Sequence, residues 1–214
     1  MKKYFSYSEF SCFFWNKDEY YKRYILGEQE EPNEKMKIGK IIHSYLEDNY
    51  YPLTKEFKEL GLDNKRIVVI KKMLDKIEPK LLPEHEKIIF ADLKGINLMA
   101  IFDGFDKRGL LDDYKTTDEH KWEQWKVDYN KQMSFYALVY KLCYHKYFRQ
   151  IRIWELNTIK GTVKHYETAR GPRDLKYIEA EILRAIYEIK NLNWWERRLS
   201  RKEREMKNQI KMVL

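Results

Sequence analysis

Apolar and polar positions alternate with two different periods along the chain. Between Ser6 and Gly27 the residues Phe10, Phe14, Tyr21 and Tyr24 recur at helical spacing. Ser6 followed by Glu9 has the spacing of a capping box, and Gly27 suits the left-handed residue past a helix end, so one helix is predicted over 7–26. A polar stretch, "GEQEEPNEK", leads to a second helix containing "IGKIIHSYLE" and a third, "NKRIVVIKKMLDKI". The pattern then shortens. "EKIIFADL", "INLMAIFDGF" and "LLDDYKT" are short apolar runs joined by "KG" and "KRG", which predicts a β-meander. A long helix from about Glu123 to Tyr147 follows, then two strands, "IRIWELN" and "TVKHYET". Pro172 in "RGPRD" suits the first turn of one or two closing helices. With no repeat, low-complexity segment or linker, the pattern predicts a single α+β domain over 1–214. It comprises a helical part over 1–80, a sheet-bearing core over 84–170, and C-terminal helices with a basic tail over 171–214.

Composition narrows the classes. The chain has 214 residues, 43% of them hydrophobic, enough for one substantial core. No apolar run approaches the ~18 residues that span a bilayer, and "MKKYFSYSEF" lacks the apolar stretch of a signal peptide, so a cytoplasmic protein with no membrane partner is expected. Cys12 and Cys143 are too few for a disulfide framework or, by themselves, a four-cysteine iron–sulfur site. Lys and Arg number 42 against 34 Asp and Glu, a net charge of +8, and the last 21 residues hold seven Lys/Arg against three Glu. Such a tail fits a polyanion such as nucleic acid, and equally a solvated helix laced with i,i+4 pairs. Ten aromatics fall between Tyr4 and Tyr24, and their helical spacing assigns most of them to the core rather than to stacking on bases.

The stretch "DDYKTT", 112–117, conflicts with its own setting, because Asp and Lys are depleted from strands. Asp106-Lys107-Arg108-Gly109 reads as a type I turn with Gly at the left-handed position, the three-residue hairpin loop with a bulge. Counting back from a pair of Asp106 with Leu110 puts Asp103 opposite Asp113, their Cβ atoms ~5 Å apart. Lys115 shares the face of Asp113, whereas Asp106 and Asp112 fall at the turn or on the other parity. Two carboxylates on one face are hard ligands for Mg²⁺ or Mn²⁺, and a lysine beside them can position or help deprotonate a water. An Asp–Lys ion pair at a sheet edge would use the same residues.

"IFDGFDKRGLLDDYKTT" resembles the core of the PD-(D/E)XK nuclease superfamily, with Asp103 followed by Asp113, Tyr114 and Lys115. The likeness is to its RecB-like branch, which includes nuclease domains of bacterial recombination machines, CRISPR-associated nucleases and small phage or viral exonucleases. "GKIIH" supplies His43 where that branch has a metal-ligand histidine, Glu86 begins the first strand, and "QMSFY" supplies Gln132 and Tyr136 in the manner of its QxxxY motif. The likeness spans about residues 4–140. It implies a restriction-endonuclease-like core, a small mixed β-sheet flanked by helices. Asp103, Asp113, His43 and the Tyr114 carbonyl would hold the metal, with Lys115 in catalysis. Gln132 and Tyr136, neighbours on one helical face, would reach a phosphate or the Lys115 amine.

The implied activity is a metal-dependent exonuclease on single-stranded DNA or duplex ends, with single-strand endonuclease activity as an addition, in recombination, repair or viral replication. An endonuclease of the same fold and a non-catalytic nucleic-acid-binding module are the alternatives. The chain departs from the branch at Ala100 and Thr117, where glycine is usual, and at Gly104, where arginine is common. Relatives with an iron–sulfur cluster place three cysteines near the C terminus. "NWWERR" stands there instead, so no cluster is expected.

Overall fold

The computed structural model describes residues 4–28, 30–48 and 51–191. The basic tail over 194–214 and "NWWERR" lie outside the described residues. In chain order the elements are β1 (Phe5–Ser6), α1 (Tyr7–Trp15), α2 (Lys17–Tyr20), a π-helical turn (Tyr21–Leu26), α3 (Glu34–Glu47), α4 (Leu53–Glu59) and α5 (Asn64–Ile77). After a short 3₁₀ turn come β2 (Glu84–Leu93), β3 (Ile96–Asp106), β4 (Leu110–Thr117), α6 (Gln124–Asp128), α7 (Lys131–Tyr144), β5 (Gln150–Asn157), β6 (Thr162–Thr168) and α8 (Pro172–Lys190).

The six strands among the described residues form one mixed sheet. Strand β3 carries β2 along one edge; its other edge is shared by β1, parallel at Leu98–Met99, and β4, antiparallel at Gly104–Asp106. Strand β4 then pairs with β5 in parallel over its whole length, and β5 with β6 antiparallel. The β3–β4 hairpin has the predicted register, Gly104 with Asp112 and Asp106 with Leu110. Gly109, at φ 87°, supplies the left-handed bulge, and Asp106 accepts from the Arg108 backbone and guanidinium, so its carboxylate holds the turn.

Helices cover both faces. Against one, α7 buries residues on nearly all its sides, packing Phe135, Tyr136 and Tyr140 with Phe102, Phe105, Phe148 and the Phe10 and Phe13 of α1. Against the other, Ile38, Ile42, Ile70 and Met73 of α3 and α5 pack over Tyr114, Trp154 and Leu156. No described helix is long and apolar enough to cross a membrane.

Two predicted helices are interrupted. The helix expected over 7–26 ends first at Asn16, whose extended backbone donates to Cys12 while its side chain accepts from the Glu19 amide and starts α2. An asparagine offers the backbone an alternative partner at this point, so the aromatic spacing continues across a break. The helix expected from Glu123 to Tyr147 divides in the same way into α6 and α7, with Asn130 capping Met133, and ends at His145 in the left-handed region. The two-residue β1 was not predicted.

Candidate active site

The site lies where β3 and β4 part. Their ladder ends at Gly104–Asp112. One residue further on, Asp103 Oδ2 takes the Tyr114 amide proton at 2.8 Å, a side chain doing what a strand carbonyl does elsewhere. On the other edge of β3, His85 pairs with Gly104 and Lys87 with Phe102, so the register places Glu86 opposite Asp103. Glu86 has φ 44°, a left-handed conformation unusual for a strand residue, and it leaves the regular ladder there. Such local strain tends to concentrate at functional sites.

Helix α3 brings His43 to this fork. Its Nε2 lies 3.0 Å from the Tyr114 carbonyl, and since a carbonyl only accepts, Nε2 carries the proton. In the neutral ring, Nδ1 then presents its lone pair to Glu86 Oε1 at 3.7 Å and Asp103 Oδ2 at 3.8 Å. Three lone-pair donors with all ligand atoms within 4.8 Å of one another form a group that could hold a metal ion.

Asp113 sits next to this group, 1% exposed. Its Oδ1 accepts from Lys115 Nζ and from Gln132 Nε2, each at 3.1 Å. Its Oδ2 has the Lys115 ammonium 2.8 Å away but out of hydrogen-bond alignment, so this buried oxygen has charge beside it and no directed donor. Gln132 Nε2 also donates to the Tyr136 hydroxyl at 2.8 Å. Thus α7 reaches the site through the predicted i,i+4 pair. The Gln132 amide meets Asp113, whereas the sequence pointed it toward Lys115 or a phosphate.

The charges are unbalanced. Burial and the adjacent Asp113 push the Asp103 carboxyl up to about 7. Burial alone would lower His43 and Lys115, but the surrounding carboxylates outweigh it and raise both. Lys115 is therefore held as an ammonium, a donor and point charge rather than a base. Burial raises Tyr136 well above its ordinary range, so it stays a phenol.

Of the sequence-nominated residues, the structure brings His43, Asp103, Asp113, Tyr114, Lys115, Gln132 and Tyr136 to one fork. Asp106 stays in the turn, and Asp112 faces away, its two oxygens each 2.6 Å from Arg152. Glu86 was noted as an acid at the start of a strand without a role. A signal for it existed: Lys94-Gly95 is a two-residue turn with both residues at positive φ, which pairs Leu93 with Ile96 and, counted back, Glu86 with Asp103.

No protein-family profile matches the chain. No curated protein matches it in sequence. A solved structure does share its fold. A crystal structure of a "Putative exonuclease" from Eubacterium rectale superposes with a TM-score of 0.67 at 15% identity, covering 88% of this chain and 82% of that one. The crystal structure of SSO0001 superposes with a TM-score of 0.39 at 10% identity, covering 76% and 80%. The first likeness shows the fold, a mixed sheet flanked by helices.

Proposed function

We propose that this chain is a metal-dependent DNA exonuclease of the RecB-like PD-(D/E)XK branch. The observation that carries the reading is the convergence at one fork of two half-sites: His43, Glu86 and Asp103 on one side, and Asp113 with Lys115 and Gln132 on the other. The residues fit a divalent cation. Burial and the adjacent Asp113 raise the Asp103 carboxyl, His43 Nδ1 faces two carboxylates, and Asp113 Oδ2 lacks a directed donor. One positive ion would answer all three. Carboxylates with one imidazole suit Mn²⁺ or Mg²⁺. His43, Glu86, Asp103 and Asp113 would hold the ion, and the Tyr114 carbonyl, which accepts from His43, would set the ring's orientation.

When bound, such an ion neutralises charge at the phosphate and makes water a stronger nucleophile. The chain's own contribution follows from its contacts. The Lys115 ammonium donates to a non-bridging phosphate oxygen as charge builds there during attack of water and loss of the leaving oxygen. Gln132, braced by Tyr136, fixes the rotamer of Asp113. The Eubacterium rectale protein's description as a "Putative exonuclease" supports this reading through the fold.

The deciding experiment is a time course on end-labelled single- and double-stranded DNA with Mg²⁺ and with Mn²⁺. Progressive release from ends, with covalently closed circles spared, is expected. Cleavage of closed circles would favour an endonuclease. Binding without turnover would favour a non-catalytic module.

A further inference from the structure

A groove of about 480 Å³ runs from Lys115 and Gln132 along α1 to Trp15. Its size is that of a small-ligand cleft. Its wall carries Tyr7, Ser11 and Arg23, and against two cations, Arg23 and Lys115, it presents one carboxylate, Glu19. The outer end is the most exposed part of the aromatic N-terminal segment. Phe10, Phe13 and Tyr20 are in the core, whereas Trp15 is 75% exposed, meeting Phe14 nearly perpendicularly with ring centroids 5.1 Å apart. The break at Asn16 is what turns the chain here, ending α1 with the indole at the groove mouth. Trp125, also exposed, differs: it lies outside this groove, and its indole nitrogen donates to Glu123.

We propose that this groove takes a single-stranded flank of the substrate, one base stacking on Trp15 and the adjoining phosphate meeting Arg23 and the groove hydroxyls. The inference rests on the nuclease reading of Lys115 and Gln132, because their position at the inner end makes the groove continuous with the site. An indole stacks on a base whatever its identity, but only on a face free of its own neighbours. A paired end would have to open before its base could reach Trp15, so the groove selects unpaired or fraying ends over blunt duplex without reading sequence.

The test compares wild type, Trp15→Ala, Trp15→Phe and Trp125→Ala on two substrates, a short oligothymidylate and thymidine 5′-p-nitrophenyl phosphate, which carries one nucleotide and no flanking strand. Binding of a labelled oligothymidylate is measured in parallel with EDTA present, so that no turnover intervenes. For Trp15→Ala, kcat/KM on the oligonucleotide should fall about 10-fold, mainly through KM, as expected for loss of one base stack. The loss on the small ester should be much less, Trp15→Phe should recover most of it, and Trp125→Ala should match wild type. A Trp15→Ala protein with wild-type KM and affinity for the oligonucleotide would overturn the groove assignment even with cleavage intact. Trp15-dependent binding in a wild-type protein that cleaves neither substrate would support the groove and sink the nuclease reading.

Discussion

Gly39 on α3 and Thr116 on β4 meet so closely that a Cβ at Gly39 would lie 2.9 Å from Thr116 Oγ1. His43 is one turn further along the same helix, so this close approach sets how far its ring reaches toward the Tyr114 carbonyl. Gly39→Ala should gain ~1 kcal/mol in helix propensity and lose a comparable amount to the contact, leaving the melting temperature little changed. Metal affinity should suffer instead, by ~10-fold, the lower end of what loss of an outer-shell support costs. Thr116→Ala added to it should restore much of the loss. Wild-type Mn²⁺ affinity in Gly39→Ala, read by titration calorimetry, would show that the glycine does not position the histidine.

Asp113 and Asp106 test the assignment of the fork against the turn. Asp113→Asn keeps shape and removes a charge from the proposed ion site, so turnover should fall at least ~100-fold, several kcal/mol of transition-state stabilisation. The metal-free fold should survive, because the change relieves repulsion with Asp103 even as it weakens the Lys115 pair. Asp106→Asn should behave in the opposite way. It weakens the Arg108 contacts that hold the hairpin, lowering thermal stability modestly and leaving turnover within a few-fold. Comparable turnover losses in the two variants would mean that the fork is not the reacting centre.

What was legible in the sequence was set by local chemistry. The Asp106–Gly109 loop dictates its own register, so the pairing back to Gly104 with Asp112 could be counted without a structure, whereas the parting of the strands before Asp103 and Asp113 could not. The His43, Gln132 and Tyr136 placements followed from the resemblance. The breaks at Asn16 and Asn130 were hidden because apolar spacing continues through them, and a capping asparagine looks the same mid-pattern as a solvated one. Strand β1 depends on pairing with residues more than 90 positions away, and the Asp112–Arg152 contact on a parallel crossover 40 positions long. Neither leaves a periodic trace. Gly104, where the resemblance led to an expectation of arginine, has a structural account: the Tyr114 hydroxyl would lie 2.9 Å from a Cβ there, so the ring fills that space.

The raised Asp103 carboxyl makes stability depend on pH with a definite sign. Its folded value is about 7, from burial first and Asp113 second, against 3.8 ordinarily. The folded state therefore keeps a proton that the unfolded chain releases, and metal-free stability falls as pH rises from about 4 to about 7. His43, raised by its carboxylate neighbours against burial, adds stability below its ordinary 6.5 that is lost as pH climbs past its folded value. Asp118 and Glu188 are lowered and act in reverse, but their effect is complete by about pH 5. In EDTA the melting temperature should be higher at about pH 5.5 than at about pH 8. With Mn²⁺ the stabilisation should be larger at the higher pH, because the ion displaces the protons. A metal-free melting temperature that rises over this interval would contradict the charge balance described for the fork.

Gln132 joins two groups that would otherwise be independent, the Asp113 carboxylate at 3.1 Å and the Tyr136 hydroxyl at 2.8 Å. Removing its amide leaves Asp113 Oδ1 with Lys115 alone, and the carboxylate can then rotate within the site. Gln132→Ala should lower single-turnover cleavage ~10–100-fold at saturating protein with little change in melting temperature, because what is lost is orientation rather than core volume. Tyr136 divides differently. Its ring packs 5.3 Å from Phe102 and is almost fully buried, so Tyr136→Ala should cost ~3–5 kcal/mol of stability. Tyr136→Phe keeps that packing and loses only the acceptor that braces Gln132, so its cleavage defect should be smaller than that of Gln132→Ala and its fold close to wild type. If Gln132→Ala cleaves at the wild-type rate under these conditions, the glutamine is a packing residue and the α7 face takes no part in the chemistry.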